Sequence, residues 1–197
     1  MTKKGDIVIL AISYVWVTAI LGCKMEDQGI RELRVALGWS LFKVQEQSNI
    51  IDTLTEQVMD MQPHYLLTPI QTSYVLEDGE DITFPPGRYL YISSDALHVT
   101  AVHLSPQLIA TSDEKAFDLT MQIEDQFRAA GLREIKDMRT PHEEAKHLLQ
   151  KRTFGYPTRV HIYEYALEET LFNVEIATFK PDKFVVFVRI TNRELSI

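Results

Sequence analysis

The sequence predicts an α+β fold: an N-terminal membrane or signal helix, a long amphipathic helix, then a mostly antiparallel sheet with two helices on one face. Three observations predict it. Residues 7–23 form an unbroken, uncharged apolar run. From Glu26 to Gln62, apolar residues recur at spacings of three, four or seven, the stripe of an amphipathic helix. Beyond Pro63, strand formers alternate with turn signals, and two helix-start patterns interrupt them. The chain therefore divides into 1–23, a signal peptide or membrane anchor, 24–63, an amphipathic helix or stalk, and 64–197, an α+β soluble domain.

In the first segment only Ser13 and Thr18 carry strongly polar side chains. About 17 residues make roughly 25 Å of helix, against the ~20 residues that usually cross the hydrocarbon core. Lys3 and Lys4 precede the run and Glu26 and Asp27 follow it, which favours a cytoplasmic amino end and a translocated body. The run closes Ile20-Leu21-Gly22-Cys23. This resembles the lipobox of bacterial lipoprotein precursors: an aliphatic residue three before the cysteine, a small residue just before it, then Cys. The resemblance covers only the first 23 residues, and in it Leu21 is bulkier than usual and Asp6 is an unusual acid. It implies cleavage before Cys23 and lipid attachment to it. An uncleaved signal anchor and a buried core segment are the other two readings. The last fits least, because half-buried helices seldom run so long without a charge.

The chain has 197 residues and a net charge of −8, and the first 23 residues, with Lys3, Lys4 and Asp6, carry none of the excess acid. An acidic body argues against nucleic acid as partner and against lying flat on anionic lipid. Cys23 is the single cysteine, so neither an intramolecular disulfide nor a cysteine metal site can form.

In the second segment, Ile30, Leu33, Leu37, Leu41, Val44, Ile51, Leu54 and Val58 mark one face, and Pro63 stops it. This face either packs on the chain's own domain or forms a stalk through which copies associate as a coiled coil over 26–62. In the third segment, Leu66–Leu76, Arg88–Ser93 and Leu97–Leu104 read as strands, with Asp78-Gly79 and Pro85-Pro86-Gly87 as turns. Thr111 with Glu114, and Thr140 with Glu143 after Pro141, form two capping boxes. The first opens a helix to Ala130 with Ala116, Leu119, Ile123, Phe127 and Ala130 on its core face, and Gly131 ends it. The second opens a helix to Arg152, and Leu132–Lys136 between them can be a strand. Three strands follow, Arg159–Ala166, Leu171–Phe179 and Phe184–Thr191, joined at Glu168 and at Pro181-Asp182 as a meander. The last is apolar on both faces and should be central.

No motif implies a cofactor, a metal or a catalytic centre. His142 and His147 are five apart, about 140° round a helix from each other, where a zinc-protease pair needs four. His98 and His103 are an odd number apart and project to opposite faces unless a bulge intervenes. Ser93-Ser94-Asp95 and the acid pairs Glu77-Asp78, Glu80-Asp81 and Glu168-Glu169 read as turns. Arg159, His161, Tyr163 and Tyr165 alternate along one strand and form a possible binding face. The function expected is a non-enzymatic binding or assembly protein of the cell envelope, a complex subunit or a protein-neutralising factor. Its body lies outside the cytoplasm, held at the membrane by its N-terminus, with a protein partner met by a sheet edge or the 26–62 helix. The alternative is an anchored extracytoplasmic hydrolase, with His161, His98 and scattered acids as its residues.

Overall fold

The computed structural model describes residues 31–49, 64–151 and 157–193. The apolar run, Cys23 and residues 50–63 lie outside the described residues. Among the described residues, no helix is long and apolar enough to cross a membrane. Over the described residues the fold is α+β, a nine-stranded, mostly antiparallel sheet with three helices. In chain order these are β1 (Arg31–Val35), α1 (Leu41–Gln47), β2 (His64–Val75), β3 (Asp81–Thr83), β4 (Gly87–Asp95) and β5 (His98–Ser105). Then come α2 (Asp113–Ala129), β6 (Arg133–Glu134), a 3-10 turn (Lys136–Met138), α3 (His142–Gln150), β7 (Arg159–Leu167), β8 (Thr170–Lys180) and β9 (Lys183–Asn192). The sheet order is β1-β2-β4-β5-β9-β8-β7-β6, with β3 also paired to β2, and only β1 with β2 is parallel. β9 is central, as its two apolar faces predict.

Period-two burial sets one face of each strand inward: Leu90 and Ile92 on β4, Val102 and Leu104 on β5, Val174 and Ile176 on β8, Val186, Val188 and Ile190 on β9. Helix α2 buries Ala116, Phe117, Thr120, Ile123, Glu124 and Phe127. Leu119 and Ala130 pack against the same core, only partly buried. Phe127 is 0% exposed, and its ring meets Phe84, Tyr163, Tyr165 and Phe172 at centroid distances of 5.2 to 6.4 Å. Burying one such side chain contributes about 1.5–3 kcal/mol. Tyr74 on β2 touches Phe172 on β8 at 5.3 Å although β4, β5 and β9 lie between those strands in the sheet. The sheet therefore curls, and its twist brings distant strands onto one core.

The long helix expected over 26–62 does not form in its described part. Arg31–Val35 is a strand, with Leu33 and Val35 inward and Glu32 and Arg34 outward, and only Leu41–Gln47 is helical. The apolar residues 33, 37, 41 and 44 belong to a strand, a turn and a helix that meet one core. Gly38 at φ +75° breaks the chain there, and Ser40 caps α1 by accepting from the Lys43 N–H at 3.2 Å. Parallel pairing with β2 outweighed the local helical spacing. The continuous surface expected to self-associate as a coiled coil is accordingly missing from 31–49.

Neither capping box forms either. The residues before α2 and α3 are Ser112 and Pro141, neither with a side-chain cap bond, while Thr111 pairs with Phe184 in a β-bridge. The acids Asp113, Glu114, Glu143 and Glu144 still occupy the first turns, where they favour the dipole. α3 ends at Gln150 and β6 shrinks to two residues.

The edge of β1 is capped, and at the other end of the sheet β6 and the segment after it cover the edge of β7. On β1, the outward Glu32 N–H donates to Asn49 Oδ1, the Arg34 N–H to Ser48 Oγ at 3.0 Å, and the Glu32 carbonyl accepts the Asn49 N–H at 3.1 Å. Beyond β6, the segment stays on β7 through Ile135 N–H to Glu164 O and Thr140 N–H to Ile162 O, both at 2.9 Å. Groups used in this way cannot template another strand.

Candidate functional site

The face of the sheet turned away from the core carries a cluster of polar and aromatic side chains. Cross-strand register sets Tyr91 opposite His103, His103 opposite Arg189, Arg189 opposite Asn173, and Asn173 opposite Glu164, a row running across β4, β5, β9, β8 and β7. Beside it Phe187 lies opposite Glu175, and Glu175 opposite His161. Tyr89 meets Phe187 edge-on at 5.2 Å, and the Arg159 guanidinium lies 5.1 Å over the same phenyl ring. Tyr91 and His103 are 5.5 Å apart. Tyr89, His103, Arg159, Asn173, Glu175, Phe187 and Arg189 line a shallow hollow of about 90 Å³, with Tyr91 beside it against His103.

The hollow is cationic. Arg159 reaches Glu175 at a loose 3.7 Å, and among the described residues Arg189 forms no ion pair. Burial, followed by the Arg189 and Arg159 guanidiniums, holds the His103 imidazole down at about 4, so it is neutral at pH 7. Asn173 Oδ1 is enclosed without a hydrogen-bond partner.

The four residues read as one binding row do not share a face. Opposite β8, His161 pairs with Glu175 and Tyr163 with Val174, so Ile162 is an extra residue, a β-bulge. The bulge leaves Arg159 and His161 on the wet face and turns Tyr163 and Tyr165 into the core, each 1% exposed. The Tyr163 hydroxyl donates to the Thr120 carbonyl, and burial pushes its pKa up. The Tyr165 hydroxyl donates to Glu124 Oε1 at 2.9 Å and accepts from Arg128 Nε at 3.0 Å. Glu124, itself buried, also receives Arg128 at 2.6 Å and Arg139. This buried network ties α2 to β7 and the segment after β6; nothing in the local sequence signalled it.

His161 is likewise committed. Its Nε2 lies 2.5 Å from the Met138 carbonyl, which requires Nε2–H, and Nδ1 then accepts from Asn173 Nδ2 at 2.8 Å. It anchors the 3-10 turn to the sheet. A bulge at Thr100 does fall between His98 and His103, but His98 sits at the hairpin turn, bonded to the Ala96 carbonyl, outside the hollow. His142 stacks on Phe117 at 3.9 Å. Among the described residues no group of three His, Cys, Asp or Glu could hold a metal ion.

A larger cleft of about 720 Å³ lies at one end of the sheet, between Trp39, the Glu77-Asp78 turn and the Glu168-Glu169 turn. Its acids stand on turn tips, as the sequence predicts, with Glu168 at φ +50°. Of its lining groups, Tyr74 has its pKa pushed up by burial.

No protein-family model, characterised protein or solved structure matches this chain.

Proposed function

We propose that this protein is a membrane-tethered, non-enzymatic binding or assembly factor of the cell envelope, and that it engages a protein partner through the wet face of its sheet. The observation that carries the reading is the cluster of Tyr89, Tyr91, Phe187, Arg159 and Arg189 on that face, which the described residues leave uncovered. Tyrosine and arginine concentrate at interface centres, because each offers large contact area together with directed hydrogen bonds. The capped β1 edge and the covered β7 edge favour this face over a sheet edge. The apolar run supplies the tether, either by lipid on Cys23 or as an uncleaved span, and puts the body outside the cytoplasm. Tethering raises the effective concentration of the face for a partner in or near the same bilayer.

Hydrolysis is less well supported. A general base needs a carboxylate or substrate at its free nitrogen. His161 instead holds a backbone carbonyl and an asparagine, and His103 faces two guanidiniums.

Two measurements test the reading. Intact mass of membrane-extracted protein should show either loss of residues 1–22 with an acyl group on Cys23, or a full-length chain that needs detergent. A full-length, unmodified chain that stays monodisperse in buffer alone overturns the tether. A photo-crosslinking residue at Tyr91 should capture a defined protein in cells, while one at the exposed Met121 on α2 should not. Equal labelling from both positions overturns the wet-face assignment.

A further inference from the structure

We propose that the hollow between Arg159, Arg189 and His103 binds a single carboxylate of a partner polypeptide, an aspartate or glutamate side chain with an apolar neighbour. The inference rests on the wet-face reading and names the chemistry that face recognises. Charge sets the class of ligand. Two guanidiniums line the hollow, Glu175 offsets one of them at 3.7 Å, and His103 is neutral at pH 7. One positive charge remains, on Arg189, matched by one carboxylate. A phosphate monoester, at about −1.5 to −2, would overcharge it.

Size agrees. The hollow is small, about 90 Å³, with room for a carboxylate group. The phenyl ring of Phe187 and the ring of Tyr89 wall the hollow with apolar surface, which a bare inorganic ion cannot use. Asn173, opposite Arg189, lines the same hollow with its Oδ1 enclosed and without a hydrogen-bond partner. The chain as a whole is acidic, at −8, so its long-range field repels anionic lipid and nucleic acid. Recognition must then come from close contact in the hollow.

His103 reports occupancy. It is faced by Tyr91 on β4, Arg189 on β9 and Arg159 on β7, with Glu175 of β8 in the same hollow. Burial, the largest cause of the depression, remains on binding, but a carboxylate between the guanidiniums offsets their repulsion, so the titration midpoint rises part of the way.

The experiment uses the full chain in uncharged detergent, labelled with 13C at histidine. It is titrated with N-acetyl-Phe-Glu-amide, with the Phe-Gln counterpart, and with inorganic phosphate. The glutamate peptide should bind at least about tenfold more tightly than the glutamine peptide, as expected for charge-assisted bonds. It should also raise the His103 midpoint above its unliganded position of about 4. Arg189→Gln should abolish the preference while the His142 signal, stacked on Phe117, stays in place as a check on the fold. Equal affinity for the two peptides overturns the carboxylate and leaves the wet face standing. Phosphate acting as strongly as the glutamate peptide overturns the polypeptide source. No movement of His103 with any probe overturns the inference altogether, while the crosslinks at Tyr91 judge the wet face separately.

Discussion

Replacing Tyr165 by Phe removes one oxygen and keeps the ring that packs on Phe127 at 5.7 Å. The oxygen lost donates to Glu124 Oε1 at 2.9 Å and accepts from Arg128 Nε at 3.0 Å, between residues 1% and 8% exposed. A hydrogen bond to a charged group contributes about 1.5–3 kcal/mol. The Arg128 side chain is 57% exposed, so its share is small. Glu124 keeps both arginines and is not orphaned, which brings the expected loss to about 1–2 kcal/mol. The assay is equilibrium urea unfolding of the full chain in uncharged detergent, followed by far-UV circular dichroism. Combining the change with Glu124→Gln should give a coupling energy of about 1 kcal/mol, because the two groups touch. The alternative is definite. Were Tyr165 on the wet face with Arg159, its hydroxyl would face water and the change would stay within about 0.5 kcal/mol. That result, with no coupling to Glu124, would falsify the bulge at Ile162.

Phe127→Ala should cost about 3–5 kcal/mol in the same assay, since a fully buried ring loses four aromatic neighbours; a loss below about 1 kcal/mol refutes its place at the centre of the core. Gly87→Ala should destabilise by about 1–3 kcal/mol or more, because an added Cβ would lie 1.8 Å from the Ser105 carbonyl oxygen. A neutral result there means that β4 and β5 do not approach as described. His103 is held near 4 when folded and titrates near 6.5 when unfolded, so as pH falls the unfolded chain takes the proton first. The stability it contributes above 6.5 is lost between 6.5 and about 4. Solvent screening limits the loss to at most about 2 kcal/mol. His103→Gln should flatten that part of the pH–stability curve, and an unchanged slope refutes the cause. Ser48→Ala with Asn49→Ala should open the β1 edge and raise self-association, seen by sedimentation; an unchanged monomer shows that the cap is dispensable.

Local sequence determined the elements whose signals are local. The meander of β7, β8 and β9 was legible from alternation and its turns, and Glu168 and Asp182 take positive φ where those turns were placed. The core stripe of α2 was legible from helical spacing, because Ile123 and Phe127 recur on one face whatever surrounds them. The apolar run and Cys23 are likewise a property of sequence alone. Only tertiary structure decided the rest. Whether Leu33 and Val35 belong to a helix or a strand depended on β2, whose partner residues lie more than thirty positions away. The bulge at Ile162 carries no residue signature, yet it turned Tyr163 and Tyr165 inward, because one inserted residue reverses the facing of all that follow. The hollow draws on β4, β5, β7, β8 and β9 at once, and register across five strands is a long-range quantity that no window of sequence contains.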